Sequence, residues 1–174
     1  CVAPDYILVH HKMKDTFVKL LIHEIEKALG TNPEESPDFA RIINLKNWHR
    51  QLGLLENQKI LYGGQSNIET LYLAPTLLDE PKRDSLVMNE EIFGPILPIL
   101  SYQSNSDIDT IISSFEKPLS LYLFSQNKSF IDEILQKYSF GGGCINDTVI
   151  HLVNHRLPFG GVGHSGMGAY HGKL

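Results

Sequence analysis

Residues 119–146, LSLYLFSQNKSFIDEILQKYSFGGGCIN, decide the fold. Residues 119–124 form a short and almost wholly apolar run, the pattern of a strand covered on both faces. Asn127 suits a helix N-cap, because its side-chain oxygen can accept from an amide of the first turn. Behind it Ile131, Ile134, Leu135 and Tyr138 recur at helical spacing on one side. The glycines at 141–143 stop that helix, and residues 144–146 read as one more short strand. Two strands joined through a helix run parallel, since only antiparallel neighbours can be joined by a tight turn.

Working outward, the pattern repeats. Residues 96–102 read as a strand, with Pro98 arguing for an edge position or a bulge because it has no amide to donate. Ser106 and Asp109 are spaced as a capping box, and Ile108, Ile111, Ile112 and Phe115 follow at i, i+3, i+4, i+7. Near the start, residues 6–9 are strand-like. Residues 14–29 form an amphipathic helix with Phe17, Leu21, Ile25 and Ala28 on one face and Gly30 at its end. A second helical stretch covers 38–57, and strands at 59–62 and 71–78 bracket the turn Gly63-Gly64. Alternation of strands and helices predicts an α/β fold: three layers, a mostly parallel sheet, helices on both faces. No repeat, low-complexity tract or linker interrupts it, so residues 1–174 read as one domain.

Composition narrows the function classes. The 15 Lys and Arg against 20 Asp and Glu give a net charge of −5 with no basic block. A nucleic-acid partner is not expected, because phosphate neutralisation needs clustered cations. The apolar runs are too short to span a bilayer. Two cysteines make no disulfide framework and suit a reducing, cytoplasmic compartment. The chain opens on Cys1 rather than Met, and both ends read as cut from a longer protein.

Four features carry possible chemistry, each with a plainer alternative. Cys1 is a candidate nucleophile, since thiolate is the reactive form of cysteine, yet most single cysteines are small apolar residues. Asn89-Glu90-Glu91-Ile92-Phe93-Gly94-Pro95 places adjacent carboxylates in a turn, which is either a site or a solvated connector that puts Phe93 in the core. Gly161, Gly163 and Gly166 match the spacing of the dinucleotide fingerprint. That fingerprint must leave a strand and enter a helix, whereas Pro158 precedes this run and no helical period follows it. Residues 159–168 therefore read as a glycine loop that permits close backbone approach. His151 and His155, four apart with Cys144 nearby, have the spacing of metal ligands on a helix, but no third or fourth ligand is evident, so no metal is expected.

Taken in order, these segments resemble the aldehyde dehydrogenase superfamily. Cys1-Val-Ala-Pro-Asp-Tyr6 resembles the segment that begins at that family's catalytic cysteine. Glu90-Glu91-Ile-Phe-Gly-Pro95 resembles its nicotinamide-side motif. Lys117-Pro-Leu-Ser-Leu-Tyr-Leu-Phe124 resembles the start of a core strand, and Pro158-Phe-Gly-Gly-Val-Gly-His-Ser-Gly166 its active-site glycine loop. The wording of the first segment and of Met167-Gly-Ala-Tyr-His-Gly-Lys173 is similar to the class-3-like branch.

The resemblance implies a mechanism and a set of roles. Cys1 would attack an aldehyde to give a thiohemiacetal, pass hydride to NAD or NADP, and leave a thioester that water hydrolyses. Glu91 would bind the ribose next to the nicotinamide, Phe93 would pack on the nicotinamide side, and Phe159 would line the substrate tunnel. It also implies that the dinucleotide-binding domain, the oxyanion-hole Asn and the water-activating Glu lie upstream of residue 1. The isolated chain is then expected to be inactive, and the full-length protein to be a homodimer in the cytoplasm. Alternatives of the same fold are a CoA-acylating enzyme and a non-catalytic assembly domain.

Overall fold

A stripe of apolar residues every three to four positions must be buried, and a strand of alternating contacts gives it a surface to cover. The computed structural model describes residues 1–172 and resolves into two compact units: residues 5–110, and residues 1–4 with 111–174.

The unit of residues 5–110 contains β1 (Ile7–His10), α1 (Lys14–Leu29), α2 (Leu45–Leu55), β2 (Ile60–Tyr62), β3 (Ser66–Asn67), β4 (Tyr72–Leu73), β5 (Thr76–Asp79), α3 (Leu86–Asn89) and β6 (Ile96–Tyr102). Four strands form a sheet in the order β1-β6-β5-β2, parallel except for β2, and β3 with β4 makes a small antiparallel pair. Val9, Leu77 and Ile99 line one face, with Phe17, Val18, Leu21, Ile22 and Ile25 of α1 packed against them. The alternate residues Leu78, Pro98 and Leu100 are buried as well, so both faces are covered.

α1 has the bounds the sequence predicts, and Gly30 ends it at φ +82° with its amide on Glu26 O. Its half-buried stripe includes Val18 and Ile22; Ala28 is exposed. The second helix is shorter than predicted, because Asn44 caps α2 through the Asn47 amide. Pro98 sits in a central strand, not at an edge. The bonds of β6 to β5 come from odd positions, with Pro95 O accepting from Thr76 and Ile99 O from Glu80. Pro98 N therefore faces β1, whose pairing begins only at Ile99, and no ladder bond is lost.

An ion cluster ties α1 to the end of β5. Lys14 Nζ donates to Asp79 at 2.5 Å and also to Glu80, and Lys59 reaches Asp79 at 2.5 Å. Burial works to raise both carboxyls, but the lysine hydrogen bonds outweigh it, aided at Glu80 by Ser101, and both titrate below their ordinary values of 3.8 and 4.5. A carboxyl depressed in the folded state contributes stability above its unfolded value and loses it as pH falls through the folded one. Melting temperature should thus drop as pH is lowered from about 4.5, with a shallower slope in Asp79→Asn. Equal slopes in the two proteins would refute the assignment.

α4 (Asn105–Ile112) leads out of this unit. Its capping pair is two residues earlier than predicted: Asp107 accepts from the Gln103 and Ser104 amides, and Ser104 Oγ accepts from the Asp107 amide. The other unit holds β7 (Ser120–Leu123), α5 (Lys128–Lys137), β8 (Gly142–Ile145) and α6 (Ile150–Val153). Asn127 caps α5 through the Phe130 amide, and β7 pairs parallel with β8, as the βαβ reading requires. Gly142 and Gly143 lie inside β8 rather than ending the helix. A Cβ on Gly143 would lie 2.1 Å from Leu121 O, which is why that strand position takes glycine. β7 is half-buried and Phe124 exposed, less covered than the apolar run suggests.

Candidate active site

Strand partners in parallel register share a face, as do residues two apart in one strand. Ser120 and Tyr122 of β7 and their partners Gly142 and Cys144 of β8 therefore form one surface. His151, from α6, lies over it. Its Nε2 is 3.4 Å from Ser120 Oγ and its Nδ1 3.5 Å from Cys144 Sγ. Its ring centroid is 5.8 Å from that of Tyr122 and 6.2 Å from that of Phe159. A Cβ on Gly142 would sit 3.0 Å from His151 Cδ2, so this glycine leaves room for the imidazole. The Tyr122 hydroxyl donates to Val2 O at 2.7 Å, holding the backbone beside Cys1, whose side chain is exposed.

Phe159 is tied down by two backbone bonds with Tyr170, of 2.6 and 2.7 Å. The glycine loop folds on itself: Cβ atoms on Gly160 and Gly161 would lie 2.1 Å from Gly168 O and Ser165 O. A short 3₁₀ turn at Gly163–Ser165, rather than a strand or an α-helix, occupies the fingerprint-like run. α6 ends at Val153, so His155 falls outside it and meets the His171 ring edge to face instead of joining His151. Among the described residues, no three His, Cys, Asp or Glu side chains gather as for a metal ion.

In the other unit, the Glu90-Glu91 turn emerges from α3, whose Asn89 side chain donates back to Arg83 O and Ser85 O. Ile92, not Phe93, is the residue that plugs the core: Phe93 adopts φ +44° and is 66% exposed. α2 clamps the turn from below. Arg50 donates to Glu91 O at 3.2 Å and Ile92 O at 2.6 Å, and Gln51, wholly buried, also donates to Ile92 O. A Cβ on Gly94 would lie 2.1 Å from Gln51 Oε1, so only glycine fits there. Beside the turn lies a cleft of ≈690 Å³, lined by Arg50, Glu91, Phe93 and Pro95 and, opposite, by Phe39 and Arg41. Asp5, from the opening motif, lies at the same turn: burial pushes its carboxyl up, against the pull of the Ile92 amide, and Glu91 adds repulsion.

Sequence reasoning thus singled out Cys1, Phe159, Glu91 and Phe93. It missed Tyr122 as the anchor of Val2, and it read His151 and Cys144 only as a partial metal set. Strand register brings Cys144 beside Tyr122, and no local motif encodes register. No helix among the described residues is long and apolar enough to cross a membrane.

Residues 1–174 match the aldehyde dehydrogenase family over their whole length, and the chain belongs to that family. It is 47% identical over 173 residues to aldehyde dehydrogenase family 3 member A2 of Rattus norvegicus, covering 99% of this chain and 36% of that protein. A Bos taurus protein named aldehyde dehydrogenase, dimeric NADP-preferring, is 44% identical over 99% of this chain and 72% of its own. Among solved structures, the substrate-bound state of Staphylococcus aureus AldH superposes with a TM-score of 0.94 at 51% identity, over 98% of this chain and 38% of its own. The family 3 name agrees with the class-3-like wording of the motifs. Lys173 of the last motif lies outside the described residues. The chain spans little more than a third of the rat protein and of the S. aureus chain.

Proposed function

We propose that the protein carrying this chain oxidises an aldehyde to a carboxylic acid, with NAD or NADP as hydride acceptor and Cys1 as the nucleophile. The observation that carries this reading is the bay around Val2: an exposed thiol next to a backbone carbonyl held by Tyr122, with the His151 and Phe159 rings alongside. Anchoring the neighbouring peptide restricts the directions from which Cys1 Sγ meets a carbonyl, and such orientation lowers a bimolecular barrier. Attack by Sγ gives a thiohemiacetal, and donors aimed at its oxygen stabilise the charge that develops there. The thiohemiacetal carbon would give up its hydride to the dinucleotide as the carbonyl reforms, leaving a thioester from which water releases the acid. Aromatic walls at Phe159 and Tyr122 suit an apolar aldehyde tail.

The turn at residues 90–95 fits the nicotinamide half of a dinucleotide. A carboxylate such as Glu91 accepts from both hydroxyls of a ribose, and the exposed Phe93 ring offers an apolar face to a planar ring. When bound, the dinucleotide supplies the hydride acceptor. The name of the bovine relative, NADP-preferring and dimeric, supports the cofactor class and a homodimer. Residues 1–174 form one catalytic domain of a longer, cytoplasmic protein whose dinucleotide-binding part lies upstream.

The test is formation of reduced dinucleotide and carboxylic acid in equal amounts by the full-length protein with a long-chain and an aromatic aldehyde. No turnover with either would reject the reading. The isolated chain is expected to show no micromolar NAD binding by calorimetry; a micromolar titration would show that the dinucleotide site is complete within it.

A further inference from the structure

The proposed oxidation uses one of the two cysteines and leaves Cys144 without a task. Cys144 is half-buried on β8, with its sulfur 3.5 Å from His151 Nδ1. The other imidazole nitrogen is 3.4 Å from Ser120 Oγ. With Nε2–H donating to that hydroxyl, Nδ1 presents its lone pair to the thiol, the relation of a nucleophile to its base. The imidazole is held from several sides, by the Tyr122 and Phe159 rings and by the space Gly142 leaves for it. A structural cysteine of a closed core has neither an oriented base nor solvent access.

We propose that Cys144 is a second nucleophilic thiol, a covalent acceptor site for α,β-unsaturated carbonyl compounds with His151 as its base. In the step, Cys144 Sγ bonds to the β-carbon, and the π pair of the C=C bond shifts to give an enolate. The thiol proton moves to His151 Nδ1 and from there to the α-carbon. Nothing is oxidised or reduced, and no other reactant is needed. The rings of Tyr122 and Phe159 provide apolar contact for the hydrocarbon part of the acceptor.

The experiment uses the full-length protein with Cys1→Ser, so that its outcome does not depend on the oxidation assigned to Cys1. Crotonaldehyde is added, the adduct is stabilised with borohydride, and the peptide carrying Cys144 is followed by mass spectrometry. One adduct per chain is expected at Cys144, formed faster than on N-acetylcysteine at the same pH and absent in Cys144→Ser. His151→Gln should slow it by about tenfold or more, since general bases contribute at least that much. Ser120→Ala, which keeps the imidazole but removes the hydroxyl that orients it, should slow it to a smaller degree and serves if His151→Gln fails to fold. Labelling no faster than N-acetylcysteine, or an unchanged rate in either variant with a wild-type melting temperature, would overturn the proposal.

Discussion

Alanine in place of Cys1 is expected to cut aldehyde oxidation by the full-length protein on the order of 10⁴-fold or more, since the covalent route is then closed. The residue is exposed, so little packing is lost and the unfolding free energy should stay within about 0.5 kcal/mol of wild type. Dinucleotide affinity should be unchanged, which separates a chemical defect from a binding defect. Serine at this position is expected to rescue little, because a hydroxyl is far less ionised than a thiol near neutral pH. A Cys1→Ala protein that keeps most of its rate of reduced-dinucleotide formation would remove Cys1 from the mechanism.

Glu91→Gln is expected to weaken dinucleotide binding by roughly 10- to 150-fold, the equivalent of losing a charge-assisted hydrogen bond of about 1.5–3 kcal/mol. The effect should fall on KM for the dinucleotide and leave KM for the aldehyde nearly unchanged. Arg50 holds the turn through the backbone carbonyls of Glu91 and Ile92, two bonds that the substitution leaves in place. Glu91→Asp keeps the charge on a shorter side chain and should lie between. Equal affinities in wild type and Glu91→Gln would show that the turn does not bind the ribose.

Legibility followed the range of the interactions involved. α1 was readable to its last residue because its stripe and its terminal glycine are both local signals. The β7-α5-β8 unit was readable for the same reason, from an apolar run, an Asn cap and a helical period. Residues 63–79 were less so: the strand expected at 71–78 is divided into β4 and β5, and the short β3 was not foreseen. Gly63 sits at φ +81° where a Cβ would lie 1.9 Å from Pro75 O, a close backbone approach that composition marks only as a turn. For Phe93 the sequence left a core plug and a site residue open, and the core reading fails. A hydrophobic ring suggests burial, but a positive φ in the clamped turn directs it outward and sends Ile92 inward. Pro98 was read as marking an edge or a bulge because a missing amide usually excludes a regular central strand, and only the starting register of β1 makes its central place harmless.

The sequence alone determined the α/β alternation, because spacing set by backbone geometry is written in contiguous residues, and it carried the motifs whose resemblance to a family singled out the four residues on which the proposed function rests. Tertiary structure decided which groups meet. His151 reaches Cys144 and Ser120 only because β7 and β8 pair in one parallel register and α6 folds back over that face. The Glu91 turn holds its shape only because α2 brings Arg50 and Gln51 beneath it, about 40 residues away in sequence. Such contacts depend on chain closure and packing across long separations, and no local periodicity records them.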